Sequence, residues 1–243
     1  MSSQRSFQSL LGKFSAGLEI LKGTGSYNPS KQVLTITALE ALEANVTAKN
    51  AAVITAGATL KSLRNNRRNI SFTSKDADTN CIENLIKNIA SYIKAEIGKD
   101  NPAYLKINSI IKKINPPADK KEELKEGEEP KKSVSSSEKT YQSLVGFGND
   151  VHTLILNLGA AYNPSNSNIT VANFKVKVDE LAGLNAAIVK AESDYATAVQ
   201  ERIEVYNGEA GINKIVPLIK DYLASFEGGK KNPDYTAFAN AVK

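Results

Sequence analysis

Few residues in this chain have the chemistry of a catalyst. It holds one histidine and one cysteine in 243 residues, His152 and Cys81. A histidine on a helix can share a metal with a carboxylate one turn away, but Asn149 stands where a Glu-x-x-His site would need glutamate. Only Asp150 lies close before it. His152 therefore reads as a surface or helix-packing residue. Cys81 stands at the predicted start of a helix, a place that can lower a thiol pKa. With no histidine or second cysteine nearby in sequence, it reads as an inert small residue.

The stretch GTGSYNPSK offers glycines and a lysine without phosphate-loop spacing, and no strand pattern precedes it. Asp179 and Glu180 are adjacent, point to different helix faces, and read as solvated charge. No catalytic, metal-binding or cofactor-binding residue is assigned, and neither an enzyme nor a small-molecule substrate is expected. The remaining candidate is electrostatic. KSLRNNRRN places Lys61, Arg64, Arg67 and Arg68 at the predicted end of a helix, where cations also offset the backbone dipole. These four are the candidate contacts for an acidic partner or for phosphates.

The elements that carry these residues follow from a repeat. Tyr27-Asn28-Pro29-Ser30 recurs as Tyr162-Asn163-Pro164-Ser165, and Asn50-Ala51-Ala52 recurs as Asn185-Ala186-Ala187. FQSLLG from Phe7 matches YQSLVG from Tyr141, and NPAY from Asn101 matches NPDY from Asn232. Collinear matches with small length changes predict a tandem duplication. The expected organisation is a first helical repeat over 1–114, a flexible Pro/Ser-rich charged linker over 115–139, and a second repeat over 140–243.

Each repeat reads as four helices, the second one long. The turn motif, with Tyr27, Asn28 and Pro29 in one copy and Tyr162, Asn163 and Pro164 in the other, has a structural reading: Asn-Pro ends the first helix. Thr35 or Thr37 is expected to cap the long helix, the latter with Glu40 in a capping box, and Thr170 to cap its counterpart. Steps of three and four give its buried seam as Leu39, Leu42, Val46, Val53, Ala56, Leu60 and Leu63. The second copy offers Phe174, Leu181, Leu184, Ile188, Ala191, Tyr195 and Ala198. Lys49 and Lys177 interrupt these seams and are expected at their edges. Pro217 predicts a late start or a kink in the third helix of the second copy. Asn101-Pro102 and Asn232-Pro233 are start signals for the fourth.

Composition bounds the rest. A single cysteine excludes an intrachain disulfide framework. The apolar run AAVITAGATL is about half of a membrane span, and the N-terminus lacks a signal-peptide pattern, so a cytoplasmic protein without a membrane span is the default expectation. The last helical pattern stops at Lys243, short of its counterpart, so the chain is expected to continue or a partner to complete that helix. The net charge of +5 is uneven: 16 Lys and Arg against 8 Asp and Glu up to Ile114, but 9 against 11 from Thr140 onward. The expected class is all-α, a duplicated helical scaffold acting through a protein partner or self-association, with head-to-tail assembly as one form. Nucleic-acid binding through the basic helix end is the alternative.

Overall fold

The computed structural model describes residues 4–73, 78–116 and 140–243. Most of the expected linker lies outside them. The protein is all-helical, with no strand among the described residues.

Two helices dominate the order. α1 (Gln4–Gly23) leads through the Tyr27 turn into α2 (Ile36–Ser71), then α3 (Ile82–Glu96) and α4 (Pro102–Ile114) follow. α5 (Tyr141–Asn157) leads through the Tyr162 turn into α6 (Val171–Asn207), then α7 (Ile212–Ala224) and α8 (Pro233–Ala241). α2 and α6 have 36 and 37 residues, so each is about 54–56 Å long at 1.5 Å per residue.

Start signals work locally. The Thr35 hydroxyl accepts from the Ala38 N–H at 3.3 Å, and Thr170 accepts from Asn173 N–H at 3.4 Å. Thr37 lies inside the first turn of α2, and Glu40 reaches Lys22 at 3.0 Å instead of closing a capping box. Asn101 caps α4 through Ala103 N–H, and Asn232 caps α8 through Asp234 and Tyr235 N–H, each ahead of a proline at the first helical position. α3 ends at Gly98, whose φ of 121° places it where side-chain-bearing residues are strained; its N–H and that of Ile97 both return to the Ile93 carbonyl. α7 starts at Ile212 and runs through Pro217, which is exposed. There is no late start.

The described residues form two compact units, and these do not follow the 1–114 and 140–243 division. One takes Met1–Leu60 with Ala191–Lys243, the other Lys61–Lys190. The physical reason is helix length. α1 spans about 30 Å and α3 about 22 Å, so neither can cover a partner of 54 Å. Each long helix is therefore buried by different neighbours towards its two ends.

In the first unit, Phe14, Leu18 and Leu21 of α1, Leu39 and Val46 of α2, Tyr206 of α6, Ile215, Ile219 and Leu223 of α7, and Phe238 of α8 form one core. Here α2 and α6 run antiparallel: Lys49 pairs with Glu201 at 2.8 Å, and Gly57 faces Tyr195. α1 approaches α8 closely at Gly17, where an added Cβ would stand 2.8 Å from the Phe238 ring. In the second unit, Ile70, the α3 residues Ile82, Leu85, Ile86, Ile89 and Ile93, Ile107 and Ile110 of α4, Phe147 and Val151 of α5, and Phe174, Val178 and Leu181 of α6 form the other core.

Lys49 sits at the edge of its seam, paired with Glu201, and Asn50 beside it is buried. Lys177 is likewise at the edge, beside the buried Val178, and the seam of α6 needs one correction: Tyr195 is exposed. Heptad counting slips by one position because a helix of 3.6 residues per turn drifts against a 3.5 repeat.

Candidate functional site

The basic end of α2 divides on inspection. Lys61, Arg64 and Arg68 are exposed, and steps of three and four place them on one helix face. Arg67 points elsewhere. Its guanidinium lies 3.9 Å over the Tyr141 ring at the start of α5, and its Nη1 donates to Asn185 of α6 at 3.4 Å. A cation on an aromatic face gains about 0.5–2 kcal/mol depending on burial. Arg67 thus holds three helices of its unit together.

A similar clasp is made by Arg202, which the sequence match sets against Arg67. Its guanidinium lies 4.2 Å over the Phe7 ring, and Phe7 is the match of Tyr141. Around it the first unit is more elaborate. Tyr206 donates its hydroxyl to the Phe7 carbonyl at 2.6 Å and accepts from Asn50 Nδ2 at 2.9 Å. Burial raises the Tyr206 pKa above its ordinary value, against the opposing pull of the Asn50 hydrogen bond and the Arg202 charge.

Both turn motifs are built alike. Tyr27 donates to the Leu34 carbonyl at 2.7 Å, and Tyr162 to the Ile169 carbonyl at 2.6 Å, so each phenol pins the short 3-10 turn that precedes its long helix. Pro29 and Pro164 are buried beside them, while Asn28 and Asn163 are exposed. Tyr27 meets the Tyr222 ring of α7 edge-on at 5.3 Å, and Tyr162 meets Tyr92 of α3 at 5.2 Å. Burial pushes the Tyr27 phenol up to about 12, with a smaller contribution from Tyr222. Tyr162 is raised further, by burial and then Tyr92.

The other chemistry-bearing residues are placed as follows. His152 is half-buried on α5. Cys81 is fully buried at the N-cap of α3, with its sulfur 3.8 Å from the Thr73 hydroxyl. Among the described residues no group of three or more His, Cys, Asp or Glu could hold a metal ion. No helix among them is long and apolar enough to cross a membrane. A shallow pocket of about 180 Å³ in the second unit is lined by Asn80, Leu85, Asn168, Asn173, Val176 and Lys177. Asn168 Nδ2 donates to Asn80 Oδ1 across it at 3.2 Å, and Lys177 is paired with Glu180 at 3.0 Å.

Glu83, like Tyr206, escaped the sequence reading. Glu83 is 3% exposed, and its carboxylate accepts from the Thr73 N–H, Lys87 Nζ and Asn115 Nδ2, the last two at 2.6 and 2.7 Å. It ties the end of α2, the start of α3 and the end of α4 to one point. The Lys87 spacing of four was a visible signal. Asn115 was hidden by its assignment to the linker.

No family model matches the chain, and neither a curated protein nor a solved structure matches it.

Proposed function

We propose that the chain is a duplicated helical protein that works by contact, without catalysis, as a scaffold or self-associating structural component. The supporting observation is the Arg67–Tyr141 clasp and its counterpart Arg202–Phe7. The two pairs use equivalent sequence positions, and each joins a residue before position 115 to one after position 139. The turns and caps repeat in the same way, through Tyr27 and Tyr162, Thr35 and Thr170, and Asn101 and Asn232. Such agreement favours one ancestral four-helix unit copied in tandem. A repeat whose surfaces already recognise one another is suited to assembly. Light scattering on size-exclusion fractions over a wide concentration range tests this: mass growing with concentration supports self-association, and a strict monomer throughout removes the homomeric form.

A second reading rests on the exposed face of Lys61, Arg64 and Arg68. The compact unit that carries it, Lys61–Lys190, has 20 Lys and Arg against 15 Asp and Glu, whereas the other has 11 against 11. Phosphate contacts by these three would give nucleic-acid binding that weakens with salt. A gel shift with mixed nucleic acid at rising salt, compared with the triple alanine variant, tests it. Binding unchanged in that variant discards the face as its cause.

A further inference from the structure

Each compact unit is assembled from both sequence halves, the first from the outer parts of the chain and the second from its middle. The first needs α1 and the start of α2 together with the end of α6, α7 and α8; the second needs the end of α2, α3 and α4 together with α5 and the start of α6. We propose that the sequence halves on either side of 117–139 are complementary binding partners, so that either half of one chain can take up the opposite half of a second copy. This deepens the self-association reading by naming the partner.

The contacts between the halves are of the kind that hold a core. In the first unit Phe14, Leu18, Leu21 and Leu39 share one apolar cluster with Ile215, Ile219, Leu223 and Phe238. Alone, the residues before Leu60 would expose one side of that cluster to water. Direction is added by polar groups. Tyr206 is 0% exposed and bridges the Phe7 carbonyl and Asn50, both of the opposite half, and Lys49 pairs with Glu201. In the second unit Tyr92 bonds the Asn163 N–H at 3.2 Å and Arg67 clasps Tyr141. A surface that is apolar at its centre and carries buried, oriented hydrogen bonds has the anatomy of an obligate interface. No covalent link between the halves enters any of these contacts.

The test uses the full chain with a specific protease site inserted between Pro116 and Thr140. After complete cleavage, the two pieces are expected to elute as one species with the mass and helical circular dichroism of the uncut protein. Mixing cleaved protein with an isotopically labelled cleaved sample should then give hybrid pairs by native mass spectrometry. Tyr206→Phe in the cleaved protein should raise the dissociation constant of the pair about thirtyfold, since two buried partners lose their hydroxyl. Pieces that separate while each keeps its helices would overturn the proposal, as would a dissociation constant untouched by Tyr206→Phe. The mass of the uncut chain reports on the scaffold reading independently, so the failure of either is seen without the other.

Discussion

The hydroxyl of Tyr206 is bonded to the carbonyl of Phe7, 199 residues away in sequence, at 2.6 Å, and the two rings lie 4.8 Å apart. A helix near the end of the chain is thereby fixed to the first turns of the molecule. The hydroxyl also receives the Asn50 amide, so its removal takes an acceptor from a buried amide and a second donor from the Phe7 carbonyl. Tyr206→Phe in the intact chain is expected to cost about 2 kcal/mol. Denaturant titration at unchanged slope would show it, and a loss below the measurement error would refute the energetic role of the bridge.

The two turn tyrosines have no shared partner. Tyr27→Phe and Tyr162→Phe should each cost about 1 kcal/mol, and the double variant about the sum. A double-mutant cycle by chemical denaturation checks this. Strong non-additivity would show that the two turns are energetically joined.

Alkaline pH should destabilise the protein. The folded pKa of Tyr27 is raised from 10.0 to about 12, and Tyr162 and Tyr206 are raised in the same direction. Above pH 10 the unfolded phenols lose protons that the folded ones retain, so stability falls as pH rises. Tyr27's share is complete below pH 10 and gone above about pH 12. Melting temperatures between pH 9 and 12 should decline, and less steeply in Tyr27→Phe; equal slopes would refute the assignment.

Within the basic stretch, the cost of substitution should separate by position. Arg67→Ala loses the Tyr141 and Asn185 contacts and is expected to cost about 1–2 kcal/mol. Lys61→Ala and Arg68→Ala, on the exposed face, should stay within about 0.5 kcal/mol. Thermal unfolding of the three single variants checks the ordering.

Close approach of α5 to α6 depends on Gly148. A Cβ there would stand 2.6 Å from Val178 Cγ2. Gly148→Ala is expected to cost about 1–3 kcal/mol despite the higher helix propensity of alanine. Gly146→Ala, which meets nothing within 4 Å, should be neutral or stabilising in the same unfolding assay.

Local structure was largely legible because its causes are local. Thr35, Asn101 and Asn232 act within three residues, and the apolar steps of α3 name its buried face. The pairing of helices was not legible, because it is decided by which surface covers which part of a long helix. Matching Phe7 to Tyr141 and Arg67 to Arg202 was within reach of the sequence. That Arg67 would choose Tyr141 and not Phe7 was beyond it, since both aromatic rings satisfy the same chemistry.

The interleaving also sets an order during synthesis. Once Lys190 has left the ribosome, every segment of the Lys61–Lys190 unit is present, whereas the first sixty residues still await Ala191–Lys243. The unit that holds α3 can therefore close before the one that holds α1, so α1 emerges ahead of α3 yet is sheltered after it.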